Sequence, residues 1–135
     1  KSSDLHNLMF FGEELIGYTA LKKRSLICLT SHSKKKKYFF LHFDSFIIKK
    51  NYRGFNYGQI LMSYNNNKII NTNLPSFLIC NNRLKFFYSR HLWKSMPKSK
   101  YMINKKNINL NLMHFYPNEI FLNKIKKFKL LINFF

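Results

Sequence analysis

Acidic residues are scarce. Five Asp plus Glu stand against 24 Lys plus Arg in 135 residues, a formal charge of +19, so few side chains are available as a carboxylate base. Such an excess of cations attracts polyanions, whether nucleic acid, an anionic membrane or the phosphates of a cofactor. Charge alone does not choose among them, because the preference for lysine and the abundance of Asn, Ile, Phe and Tyr also fit the drift of an AT-rich genome. Cysteine is nearly absent too. Cys28 and Cys80 form no disulfide framework and no CxxC pair, which suits two buried thiols in a reducing cytoplasm. The histidines at 6, 32, 42, 91 and 114 lie far apart, without the close His/Cys pairs of a zinc site, so no metal is expected. No apolar run nears the roughly 20 residues of a spanning helix, and the N-terminus lacks a signal peptide's apolar stretch. With Lys1 in place of Met, the chain is expected to be processed, trimmed or a fragment.

What is present suits one domain over residues 1–135, since 46% of the residues are hydrophobic, enough for a core. Apolar runs at 5–10 and 15–22 flank Gly12-Glu13-Glu14 and predict a β-hairpin. Ser25 to Thr30 forms another apolar stretch, and the lysines within 31–37 mark a solvated connection. Tyr38 to Ile48, rich in aromatic and β-branched residues, is the strongest strand candidate; strict alternation places His42, Asp44, Phe46 and Ile48 on one face. A helix is expected from about Gln59, with Ile60, Leu61 and Tyr64 toward the core and a weak stretch at Asn65-Asn66-Asn67. Ser76 to Cys80 reads as a buried strand. Asn81 caps a second helix whose Leu84, Phe87, Tyr88 and His91 share a face. Lys94 to Lys100 reads as loop, Tyr101–Ile103 and Asn109–Tyr116 as closing strands, and 119–135 as a basic, Phe-rich tail of helix or strand. Phe39, Phe40, Phe86 and Phe87 are assigned to the core. This order predicts an α/β or α+β domain with a mixed sheet, including a parallel pair joined by a helix.

The segment from Arg53 through Gly54 to Gly58, set between a strand and a helix, is physically a phosphate cradle. Glycines let the backbone approach a ligand, and the helix start offers unpaired N–H groups and the positive end of its dipole. Neither GxGxxG nor GxxxxGK[ST] is present, which argues against dinucleotide and nucleoside triphosphate sites.

Residues 46–61 resemble the strand and pyrophosphate loop of the GNAT superfamily of acetyltransferases, whose pattern is Arg/Gln-x-x-Gly-x-Gly/Ala. Arg53 and Gly58 match it, and Asn56 stands at the first glycine. Residues 77–88 are similar to the family's next strand and helix, which carry an Asn before a Phe-Tyr pair; Asn81, Phe87 and Tyr88 fill those positions, followed by Trp93. Leu92 stands where the family has glycine, and Glu14 to Tyr18 resembles an earlier strand. The likeness spans about 8–95 and lacks the family's opening strand and two helices. It implies a mixed, mostly antiparallel sheet with helices packed on it, and acetyl-CoA as co-substrate for acetylation of an amine-bearing acceptor in a ternary complex.

By the same resemblance, backbone groups of Phe46, Ile47 and Ile48 hold the pantetheine arm. Arg53, Gly54, Phe55, Asn56, Tyr57 and Gly58 hold the pyrophosphate, Asn81 contacts the cofactor, and Tyr88 protonates the departing thiolate. Asp44 and His42 are the candidate bases. Two other functions stay open: a basic RNA-binding or ribosome-associated module, and a degenerate, non-catalytic fold of this type. A homodimer is compatible with an unfinished sheet edge.

Overall fold

In a computed structural model of the chain, the residues described are 4–29, 35–103, 110–115, 129–132 and 134. The hairpin forms as expected: β1 (Leu5–Phe11) pairs antiparallel with β2 (Glu14–Leu29) across a two-residue turn in which Gly12 takes φ +61°. Ser25 to Leu29 is not a separate element but the far half of β2. β3 (Lys35–Ile48) begins inside the lysine run, Lys35, Lys36 and Lys37 pairing with Leu29, Cys28 and Ile27. A strand tolerates these lysines because their backbones complete the ladder while their side chains stay in water.

After β3 come α1 (Tyr57–Thr72), β4 (Ser76–Cys80), α2 (Asn82–Arg90), the short β5 (Lys94–Ser95), β6 (Tyr101–Ile103), β7 (Asn111–Phe115) and β8 (Lys129–Ile132). β5 lies inside the stretch expected to be loop. Only β8 and Phe134 of the 119–135 tail fall within the described residues. The sheet runs β5-β7-β4-β3-β2-β8-β6. β1 and β8 share one edge of β2, β1 along residues 14–21 and β8 along 26–29. β3 and β4 are the expected parallel pair joined by a helix, and β6 and β8 form a second parallel pair.

α1 contradicts two expectations. Ile60 and Tyr64 are exposed, and the buried face is Leu61, Met62, Asn65, Asn66 and Ile69. The helix continues through Asn65, Asn66 and the exposed Asn67 to Thr72; Asn65 and Asn66 are buried, Asn66 paired at both ends of its amide and Asn65 through Oδ1. Asn65 Oδ1 accepts from Asn7 Nδ2 at 3.2 Å, and Asn7 also donates to Thr19 at 2.8 Å. Asn66 accepts from the Trp93 indole N–H at 3.0 Å and donates to the carbonyl of His91 at 2.9 Å. Hydrogen bonds to β1 and to the turn after α2 thus outweigh the low intrinsic propensity of Asn.

Each face of the sheet carries a core. Under α1 and α2 lie Leu21, Leu41, Phe43, Leu78, Trp93 and Met113 among others, with Trp93 stacked between Phe43 and Phe115. On the opposite face Leu26, Phe40, Phe77, Leu112 and Leu130 pack with Phe134. No helix among the described residues is long and apolar enough to cross a membrane.

Candidate active site

β3 and β4 pair over only two positions, Leu41 with Ser76 and His42 with Phe77. Beyond them β3 runs six residues further and β4 three, without a ladder between them. The edge of β3 that faces β4 therefore has no strand partner beyond His42 among the described residues. Apart from the Ile48 carbonyl, which accepts from Arg53, its N–H and C=O groups are available to an extended ligand.

The loop after β3 is held at both ends. A single 3₁₀ turn covers Lys50–Tyr52, and the Glu14 carboxylate accepts from Lys49 Nζ and the Tyr52 hydroxyl, which keeps its pKa low. Arg53 Nε donates to the carbonyl of Ile48 at 2.8 Å. Gly54 has φ +86° and Asn56 φ +67°, so two of the loop's residues take the left-handed conformation that Gly and Asn tolerate best. Asn56 is the N-cap of α1, yet its side chain makes no cap bond, and no acidic residue stands in the first turn. The first N–H groups of α1 thus lack side-chain acceptors, and the helix presents its positive end toward the loop.

These parts enclose a cleft of about 360 Å³. Phe46, Ile47 and Ile48 line it from β3, Arg53, Gly54 and Gly58 from the loop and helix start, and Phe87 from α2. A Cβ on Gly58 would lie 3.5 Å from Phe46 Cζ, so glycine here keeps the floor low. Six of the seven lining residues were expected as cofactor contacts. The seventh, Phe87, stands against Phe46 with ring centroids 5.3 Å apart; the sequence placed it on the apolar face of α2 and in the family's Phe-Tyr pair, without assigning it to the cofactor.

Other candidates lie elsewhere. Phe55, Asn56 and Tyr57 shape the loop without lining the cleft. Tyr57 faces Tyr52 and Phe11, and Phe55 is exposed. Asn81 caps α2, its Oδ1 accepting from the Leu84 N–H at 3.1 Å. Tyr88 follows Phe87 and packs edge-on against Phe43, 6.0 Å between centroids; burial, with a smaller effect of Cys80, pushes its pKa up to about 12. The phenol therefore remains a proton donor throughout the physiological range.

His42 and Asp44 do not share a face with Phe46 and Ile48. In the ladder with β2, Leu21 pairs with Phe43 and Ala20 with Ser45, which leaves Asp44 as an extra residue in a β-bulge. The bulge shifts the alternation by one residue. Phe43 and Phe46 meet on the helix side, whereas His42 packs on Phe134, 4.5 Å between centroids, on the other side. Asp44 forms an ion pair with Lys22 at 2.6 Å, which lowers its pKa, and lies 3.8 Å from His42 Nε2. Burial pushes the His42 imidazole down to about 4. No group of three or more His, Cys, Asp or Glu suited to a metal occurs among the described residues.

No family model and no curated protein matches the sequence. Solved structures do. The Escherichia coli GNAT family N-acetyltransferase YhbS, in complex with CoA, superposes with a TM-score of 0.64 over 92% of this chain and 62% of its own, at 10% identity. The Bacillus subtilis N-acetyltransferase YlbP, in complex with coenzyme A, gives 0.58 over 83% and 67%, at 13% identity. The KacTA–DNA complex gives 0.60 over 91% and 70%, at 17% identity. The chain has the GNAT fold, a mixed sheet with two helices packed on it.

Proposed function

We propose that the chain is an acyltransferase that binds acetyl-CoA in the cleft between β3 and β4 and transfers the acetyl group to an amine. The observation that carries this reading is the divergence of β3 from β4 after His42 and Phe77. It opens a bare strand edge at Phe46 to Ile48 directly beside the uncapped start of α1. A pantetheine arm offers amides that can pair with that edge as an added strand. A pyrophosphate suits Arg53, Gly54 and the N–H groups ahead of Gly58, where partial positive charge gathers without a competing carboxylate. CoA occupies the solved YhbS and YlbP structures of the same fold.

In this reading Phe46 and Phe87 wall the arm, and Tyr88 holds the proton that a departing thiolate takes up. The amine nucleophile must lose a proton before it attacks. With His42 and Asp44 on the far face of the sheet, water at the cleft mouth is the simplest acceptor. Which amine is acetylated is set by surfaces around that mouth.

Titration calorimetry with acetyl-CoA, followed by turnover of a panel of amines, tests the proposal. We expect saturable binding that Gly58→Trp abolishes. Tyr88→Phe should retain binding and lower kcat roughly 100-fold, as for loss of a general acid. Absence of binding by the parent chain would sink the proposal. Binding without turnover of any amine would leave the fold as a cofactor-binding module and remove the catalytic part.

A further inference from the structure

Far from the cleft, the outer halves of β2 and β3 form a ribbon, with β8 paired to the other edge of β2, whose helix-side face carries Lys23, Phe39, Lys37 and Lys35. Phe39 continues the row of Leu41 and Phe43, but it lies beyond the reach of α1 and α2, and half of its surface is open to solvent. Its assignment to the core is therefore corrected. Lys23 Nζ lies 4.9 Å from the ring centroid and Lys37 Nζ 5.5 Å. All three lysines are exposed, and none forms an ion pair among the described residues. The nearby carboxylate of Asp4 takes a hydrogen bond from the backbone N–H of Lys23 at 3.3 Å.

We infer that this ribbon face binds single-stranded nucleic acid, one base stacking on Phe39 while Lys23, Lys35 and Lys37 contact the flanking phosphates. An exposed ring with cations on either side is the combination that such binding uses. Lysines resting on an exposed ring are held weakly, and their stems are long enough to swing toward phosphate, uncovering the ring as they do so. The chain's charge of +19 adds long-range attraction to a polyanion. An anionic surface without bases would use the lysines and leave the ring idle, so Phe39 favours nucleic acid over an acidic protein. Nine steps along β3 lead from Phe39 to Ile48, roughly 30 Å at strand rise, so a bound strand leaves the cleft open.

The test is fluorescence anisotropy of a labelled twelve-residue oligouridylate with the whole chain across a range of salt. Three phosphate contacts give a slope of log K against log salt of at least about −2, at roughly 0.7 per contact. Phe39→Ala and Phe39→Leu should each weaken binding about tenfold, the loss of one stacked base. Lys23→Gln combined with Lys37→Gln should make the slope shallower by about 1.4. Phe39 is exposed and remote from the cleft, so acetyl-CoA titration and circular dichroism of the variants report folding independently. Failure of the parent chain to bind, unchanged affinity in Phe39→Leu, or equal competition by poly-glutamate would each overturn the inference.

Discussion

Arg53 reaches back across the loop and donates its Nε–H to the carbonyl of Ile48, the last residue of β3, at 2.8 Å. One side chain thus fixes the loop to the strand edge while keeping its charge at the cleft. A lysine has no planar fork with which to do both. Arg53→Lys should weaken acetyl-CoA binding about tenfold and Arg53→Ala between 10- and 100-fold, the range of a charge-assisted hydrogen bond. The melting temperature should change little, because the side chain is exposed. Calorimetry and thermal denaturation on the same samples check both halves.

Gly58 offers a separation of binding from stability. An added Cβ meets Phe46 at 3.5 Å and Ile48 at 3.9 Å, ordinary contact distances. Gly58→Ala should therefore stabilise α1 by roughly 0.5 kcal/mol, the usual gain of alanine over glycine in a helix. The same methyl raises the floor of the cleft, so affinity for acetyl-CoA should fall. Urea titration and calorimetry should move in opposite directions.

Asn66 ties α1 to the turn after α2 through the Trp93 indole and the His91 carbonyl. Asn66→Leu fills the space but leaves that indole N–H buried without an acceptor. The expected cost is about 3 kcal/mol, two hydrogen bonds plus a desolvated donor. Because Trp93 stacks on Phe43 and Phe115, its fluorescence should shift with the change, which a fluorescence-detected urea titration records.

Leu92 takes φ +72° with 72% of its surface exposed, so it bears left-handed strain and buries little in return. Leu92→Gly should stabilise the fold by about 1 kcal/mol, raising the melting temperature by roughly 3 °C. A fall in melting temperature would contradict this account of the turn.

His42 sets a pH dependence. Its side chain is buried, and Nδ1 has no hydrogen-bond partner among the described residues. Burial holds the imidazole at about 4, with Asp44 acting in the opposite direction. An unfolded histidine titrates near 6.5, so between these values the unfolded chain binds a proton that the folded chain refuses. Stability therefore rises with pH from about 4 to 6.5 and is level above, with an amplitude of at most about 3 kcal/mol. Burial also lowers the pKa of His91, which adds a weaker slope of the same sign. The lowered carboxylates of Glu14 and Asp44 remove stability only at more acid pH, as they protonate through their folded values. His42→Phe should flatten most of the slope in urea midpoints measured at pH 4.5, 5.5, 6.5 and 7.5.

The sequence by itself determined whatever local pattern controls. Ser76–Cys80, an apolar run between breakers, is β4 with those bounds, and Asn81 caps the following helix. The spacing of Arg53, Gly54 and Gly58 fitted a phosphate cradle or an ordinary turn alike, and it was the resemblance that assigned these residues to a cofactor; all three line the cleft. Tertiary structure decided the rest. The bulge at Asp44 belongs to the pairing of β3 with β2, so alternation along β3 alone placed His42 and Asp44 on the wrong face. The buried asparagines of α1 depend on partners 25 to 58 residues away, at Asn7, His91 and Trp93, and the exposure of Phe39 on where α1 ends in space. A helix or strand period records which side of an element is apolar; which neighbour covers that side, and where two strands part, is fixed only when distant segments meet.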